Sequence, residues 1–353
     1  MHTETAITAA PGNPLGLNGF AFAEFTSPHP EVLAAQFEQL GFVAAARDPG
    51  RGLTLYVQGD IRFILNACDS GQGRDFRDLH GPSANGMAFR VADAARAYEA
   101  ALERGAVAVD ASRGALGAGS CAIEGIGGAY LYLIDRDPFA AWIPVADWRD
   151  AALANDTGLR VLDHLTHNVR RGRMRAWSSF YEKLFGFQEQ KYFDIKGQST
   201  GLFSQAMIAP DEAIRIPLNE SQDDKSQIEE FIRDYNGEGI QHLALATQDI
   251  YRTVEKLRQR GVRLQDTIET YYELVDRRVP GHGEDLERLK RNRILIDGDV
   301  DKEGLLLQIF TENTVGPIFF EIIQRKGNQG FGNGNFQALF ESIELDQIRR
   351  GVI

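Results

Sequence analysis

Two cysteines in 353 residues, Cys68 and Cys121, are too few for a disulfide framework and lack the paired spacing of a zinc site, which suits a reducing compartment. Long hydrophobic runs are missing too. "AYLYLI" is far too short to span a bilayer, and the N-terminal "MHTETAITAAPGNPLGLNG" has neither the basic stretch nor the apolar stretch of an export signal. The expectation is a cytoplasmic protein with no membrane partner. Positive charge is scarce as well: 38 Lys and Arg against 50 Asp and Glu give a net charge of −12. No basic cluster with interleaved aromatics offsets it, so a nucleic-acid partner is not expected. What is present is an ordinary globular composition, 43% hydrophobic and 25% charged, over a length that can fill two cores.

The chain carries a weak internal repeat. "FAFAEFTSPHPEVLAAQFEQLGF" parallels "RVLDHLTHNVRRGRMRAWSSFYEKLFGF", each reading as a short alternating strand, a turn, an amphipathic helix and an apolar-Gly-Phe stop. "GMAFRVADAARAYEAALERGAV" parallels "GIQHLALATQDIYRTVEKLRQRGV", and "GAYLYLIDR" parallels "GPIFFEIIQR". Each half then holds two units of strand, helix and several strands. The fold class is α+β, with a first domain over 1–150, a second over 151–353 and a boundary in the polar "VADWRDAALANDTG".

Glu321 is the residue that demands an explanation. Alternation puts it on one strand face with Phe319 and Ile323, against Ile318, Phe320 and Ile322 on the other, so both faces read as buried. A carboxylate there needs a cation. Overlaying the halves sets His164 opposite Glu24, His242 opposite Phe89 and Glu321 opposite Tyr132, so the second half alone has two histidines and a carboxylate at corresponding positions. Two His and one carboxylate with open positions form the facial triad associated with non-haem Fe(II) and O2 chemistry. Imidazole and carboxylate also suit Mn or Zn, which leaves the type of metal open.

Nearby residues carry plainer readings. In "DHLTH", His164 and His167 are three apart and face opposite ways on a strand, so His164 is taken as the ligand and His167 as a core or supporting residue. In "LLLQIF", Gln308 shares a face with Leu306 and Phe310; in "IRIPLNE", Asn219 shares one with Pro217; buried amides of this kind need partners that a substrate can supply. Ser204 and Gln227 read as surface residues by composition. "GFGNGNF" lacks the lysine of a phosphate loop and reads as a glycine hinge before a terminal helix in which Phe336, Leu339, Phe340 and Ile343 fall at helical spacing.

Taken together, "VLDHLTHNV", "YFDIKG", "IRIPLNE", "SQIEEF", "NGEGIQH", "LLLQIF", "FFEIIQRKG" and "GFGNGNFQALFESIE" resemble the 4-hydroxyphenylpyruvate dioxygenase family of the vicinal oxygen chelate superfamily. The likeness runs from "NPLGLNGFAF" to "RRGV". It implies four βαβββ modules in two open barrels, a metal-free first barrel, Fe(II) in the second on His164, His242 and Glu321, and a gating C-terminal helix over about 335–350. It also implies a homo-oligomer, dimer or tetramer, that turns 4-hydroxyphenylpyruvate and O2 into homogentisate and CO2 in tyrosine catabolism. By the same resemblance Ser204, Asn219, Gln227 and Gln308 become catalytic polar residues, and Phe310, Phe331, Phe336 and Pro217 line the substrate. Gln241 is a near-site residue in the family, although strict alternation points it away from His242. The alternatives are hydroxymandelate synthase, which departs from this pattern at the "PLN" strand and at the aromatic after "GNGN"; an extradiol catechol dioxygenase; and a non-catalytic small-molecule binder of the same superfamily.

Overall fold

The computed structural model describes residues 12–196, 201–335 and 338. Sixteen strands form two eight-stranded sheets. The first contains β1 (Phe20–Thr26), β2 (Val43–Asp48), β3 (Leu53–Gln58), β4 (Ile61–Asn66), β5 (Ser83–Arg90), β6 (Cys121–Glu124), β7 (Tyr130–Ile134) and β8 (Ile143–Pro144), in the order β6-β7-β5-β1-β4-β3-β2-β8. The second contains β9 (Leu159–Val169), β10 (Gln188–Lys196), β11 (Gly201–Ile208), β12 (Arg215–Ser221), β13 (Gly239–Thr247), β14 (Leu295–Asp299), β15 (Gly304–Phe310) and β16 (Phe319–Lys326), in the order β10-β11-β12-β9-β13-β16-β15-β14.

Each unit opens with a strand that pairs in parallel with its own last strand: β1 with β4, β5 with β7, β9 with β12 and β13 with β16. A parallel pair needs a crossover, and the amphipathic helices Pro30–Gln39, Ala94–Glu103, Met174–Phe185 and Ile250–Gln259 provide it. Their starts are written in the sequence. Asp93 and Asp249 cap equivalent helices, each accepting a 3.0 Å hydrogen bond from the backbone N–H three residues on. In the second unit the strand after the helix is reduced to one bridge, Ala108 with Ile123. The antiparallel pairs β1·β5 and β9·β13 join the units, giving the two open barrels of the vicinal oxygen chelate architecture.

The convex faces share one core. Phe320 on β16 lies 5.8 Å from Phe63 and 6.2 Å from Phe25, and Phe89 lies 5.4 Å from Phe185. The concave faces differ in chemistry. That of the first sheet is filled with apolar and aromatic side chains, among them Phe22, Ile64, Tyr132 and Trp142. In the second, Ala244, Leu306 and Ile323 make a small apolar cluster beside a polar group. A polar concavity in an otherwise apolar molecule marks the place to look for chemistry.

Phe320 links the two halves with a fully buried ring, so Phe320→Ala is expected to cost about 3–5 kcal/mol. Urea denaturation checks this, and a loss below about 1 kcal/mol would show that the shared core does not depend on that ring.

Candidate metal centre

Strand register assembles the group that the sequence singled out. Ala244 on β13 pairs with both His164 on β9 and Glu321 on β16, placing those two on one face of three adjacent strands. His242, two residues before Ala244, lies on the same face one pleat away. Donor atoms of the three side chains lie within 4.8 Å of one another. His164 Nε2 is 3.2 Å and His242 Nε2 3.5 Å from Glu321 Oε2.

A second layer of side chains orients the three. Asp163 Oδ1 accepts from His164 Nδ1 at 2.8 Å, and Arg325 holds that carboxylate with two hydrogen bonds of 2.7 and 2.8 Å. Gln241 Oε1 accepts from His242 Nδ1 at 2.5 Å. With both Nδ1 atoms donating, both Nε2 lone pairs are left to face Glu321, the tautomer a metal requires. Thr166 Oγ1 sits 2.9 Å from His242 Nε2. Gln308 donates to Glu321 Oε1 at 3.2 Å and accepts from Asn335 at 3.0 Å; Asn335 in turn accepts from the Tyr271 hydroxyl at 2.6 Å.

The electrostatics follow from this burial. Desolvation pushes the Glu321 carboxyl up, but His164 and His242 overcome it and bring the group down to about 2. Burial pulls both imidazoles down. For His164 the carboxylates of Glu321 and Asp163 outweigh that and leave it above its ordinary value, whereas His242 stays below. The site therefore holds a carboxylate that stays ionised beside two imidazoles, the place a cation would take. Two neutral imidazoles and a carboxylate fit a divalent transition metal.

Other expected residues are distributed unevenly. Ser204 pairs with Asn219, and Asn219 with Asn168, making a polar row across β11, β12 and β9 on the face of His164. Pro217 is buried two residues along that face. Phe331 lies edge-on 5.2 Å from the His164 ring, and Phe310 meets Phe319 edge-on at 5.8 Å, while Phe319 stacks 4.9 Å from His242. Gln227 is exposed at the start of helix Gln227–Asp234. Phe336 lies outside the described residues, as does the expected lid helix apart from Asn335 and Ala338. His167 faces the other way, as alternation requires: its Nε2 is 2.7 Å from the Tyr181 hydroxyl, and burial holds the imidazole down to about 3.

Two sequence expectations are corrected, and the glycine segment gains its contacts. A bulge between Ile240 and His242 interrupts alternation on β13, which turns Gln241 toward His242 rather than away from it. The counterparts of the triad in the first half are Phe22, Gly86 and Tyr132, because Ala88 pairs with Phe22 and Tyr132 as Ala244 does with His164 and Glu321. Glu24 and Phe89, which the linear overlay gives, lie two and three residues away from these positions. Glu24 instead occupies the room left by Gly86, accepting from Asn66 and Asn85 at 2.7 and 2.6 Å, and Phe89 sits in the convex core. Finally, the glycine segment is anchored rather than loose. Arg325 donates to the Gly330 carbonyl at 2.6 Å and the Gly334 N–H donates to Asp297 at 2.8 Å. Gly332, at φ +71°, leaves room for Gln308, whose Oε1 would stand 1.6 Å from a Cβ there.

Sequence reasoning missed Asp163, Thr166, Asn168, Arg325 and Asn335. Thr166 and Asn168 follow His164 at period two and could have been found that way. The amide of Asn168 is fully buried, and among the described residues neither its Oδ1 nor its Nδ2 has a partner.

A family profile described as "Hydroxyphenylpyruvate dioxygenase, HPPD, N-terminal" matches residues 12–142, and one for the "Glyoxalase/Bleomycin resistance protein/Dioxygenase superfamily" matches residues 161–274. A 4-hydroxyphenylpyruvate dioxygenase from Pseudomonas aeruginosa is 54% identical over 97% of both chains. This chain belongs to the 4-hydroxyphenylpyruvate dioxygenase family. A Vibrio vulnificus protein named Hemolysin VllY is 55% identical over 97% of this chain and 98% of its own. Among solved structures, a mutant 4-hydroxymandelate synthase from Streptomyces coelicolor aligns with a TM-score of 0.80 at 26% identity, covering 94% of this chain and 99% of that one. For a 4-hydroxyphenylpyruvate dioxygenase family member, the buried His-His-Glu group is the metal centre to test.

His164→Ala, His242→Ala and Glu321→Ala are each expected to abolish stoichiometric metal uptake, measured by elemental analysis, while His167→Gln retains it. Equal loss in His167→Gln would contradict the face assignment. Removing an orienting group, by Asp163→Asn or Gln241→Ala, should weaken metal affinity about 10–100-fold. Affinity should also fall with acidification. Because the His164 value is raised, proton competition begins above the ordinary imidazole range and grows as pH drops; competition titrations against a chelator between pH 5 and 8 would expose a flat profile.

Proposed function

We infer that this enzyme converts 4-hydroxyphenylpyruvate and O2 to homogentisate and CO2, with Fe(II) held by His164, His242 and Glu321. The atoms balance: nine carbons and both oxygens of O2 are accounted for in the two products. Bound there, ferrous iron would supply the activation of O2 that is coupled to oxidative decarboxylation of the 2-oxo acid. The single observation that carries the reading is the Nε2/Nε2/carboxylate set on one buried strand face, in a chain about half identical to named dioxygenases over nearly full length.

The protein's own part is binding, orientation and exclusion of water. The Asp163–Arg325 pair and Gln241 fix the two imidazoles, and Gln308 fixes the carboxylate, so the ligands need little rearrangement to receive the metal. The row Ser204, Asn219 and Asn168 offers hydroxyl and amide groups to the phenol of the substrate, and the orphaned amide of Asn168 supports a polar ligand there. Phe310, Phe319 and Phe331 border the metal group with rings that keep water from the reacting end. Phe336 and the segment to about 350 would complete that wall as a lid. We assign residues 1–150 to a scaffold domain and 151–353 to the catalytic one, in a cytoplasmic homo-oligomer, dimer or tetramer. Among the described residues no helix is long and apolar enough to cross a membrane.

The second reading, hydroxymandelate synthesis, is favoured by the structural alignment alone, at 26% identity against 54% for the dioxygenase. Pro217 and Asn219 on the "PLN" strand favour attack on the ring. Anaerobic loading with Fe(II), followed by substrate and O2, should give homogentisate with matched O2 uptake. The two candidate products share one formula, so chromatography against both standards decides; a dominant hydroxymandelate peak would transfer the assignment. Asn168→Ala should raise KM or lower coupling of O2 uptake to product by about tenfold while leaving metal content unchanged.

A further inference from the structure

A cavity of about 810 Å³ opens at the mouth of the first sheet, where its concave face meets β9 of the second. Its lining includes none of the three metal-centre side chains. Phe20, Phe22 and Phe139 form one wall and Val161 and Leu162 another, while Arg62 on β4 and Arg90 at the end of β5 also line it. Phe22 and Phe139 already meet edge-on at 5.8 Å, an aromatic corner formed without a ligand.

The two arginines are the unusual feature. Both are half-buried, and among the described residues neither makes an ion pair within 4.0 Å or a side-chain hydrogen bond. Burial lowers the Arg90 guanidinium, the neighbouring Arg62 lowers it further, and Asp60, exposed at the rim, only partly compensates. The rim also bears Asp135, Arg136 and Asp137, all exposed; Asp135 accepts from the Ala94 N–H and Asp137 from the Phe139 N–H, each at 3.0 Å. Two neighbouring half-buried cations with no carboxylate in ion-pair contact repel each other, and an anion between them would relieve that repulsion.

We propose that this cavity is a second small-molecule site, recognising an aryl carboxylate by the guanidinium groups of Arg62 and Arg90 together with the Phe22–Phe139 corner. Guanidinium groups match the planar, two-oxygen geometry of a carboxylate, and the ring walls match a flat apolar body. The position is telling. Phe22 stands where His164 stands in the second sheet, and it is the one of the three ligand counterparts that borders the cavity, so the hollow opens at the mouth of a concave face that is otherwise filled. Leu162, two residues from His164, places the occupant against the strand that carries a metal ligand.

The test is calorimetric titration of the full-length, metal-loaded protein with 4-bromophenylacetate, paired with the bromine anomalous signal in co-crystals. One binding event should weaken by at least about tenfold in Arg90→Gln and in Arg62→Gln, be partly restored in Arg90→Lys, and coincide with bromine beside Phe139. The two glutamine variants guard against loss of folding in either one. Titrations indistinguishable between wild type and both glutamine variants would overturn the proposal, as would bromine found solely at the metal group. Inorganic phosphate displacing the ligand at equal affinity would overturn the aryl part and leave a bare anion site.

Discussion

A carboxylate buried in the middle of a sheet is the constraint on which the second half is built. Glu321 is 3% exposed, on a strand whose neighbours in sequence are all apolar, and the strand can accept it because two imidazoles reach it from the next two strands. The parallel pairing of β13 with β16 and the antiparallel pairing of β9 with β13 are both needed, since a slip of one residue in either would turn a ligand into the convex core. The crossover helices that make the parallel pairs possible are thus part of the site, though none contributes a ligand.

The same constraint explains why two similar sheets do different things. In the first, Phe22, Gly86 and Tyr132 stand at the three ligand places, and the concave face closes with aromatic packing. Glu24 survives there as a buried carboxyl, but it leans on two asparagines rather than on imidazoles, and burial raises it toward the neutral acid. Equivalent backbones therefore present one preorganised anionic centre and one packed apolar face.

Arg325 ties the metal centre to the end of the chain. Its guanidinium grips Asp163, which orients His164, and reaches the carbonyls of Asn328 and Gly330 at 3.1 and 2.6 Å. Gln308 does likewise from the other side, holding Glu321 and receiving Asn335. The segment before residue 336 is consequently fixed by the groups that fix the ligands.

Much of this was legible in the sequence. Period-two alternation around Glu321, the repeat, and the opposite faces of His164 and His167 were sufficient for the α+β units and the ligand set, because strand pleating is a local property with a fixed period. The orienting layer was not legible. Asp163, Arg325, Gln308 and Asn335 come from four separate stretches of chain, and only pairing across strands brings them to one place. Gln241 was misjudged because a bulge adds a residue to one strand without adding one to its partner. Glu24 and Phe89 were misaligned, by two and three residues, because the pairing of β1 with β5 and of β9 with β13 sets the correspondence between the halves, and no linear reading contains it. The sequence by itself determined which side chains could bind a metal; the tertiary structure decided which atoms of them face it, and which neighbours hold them there.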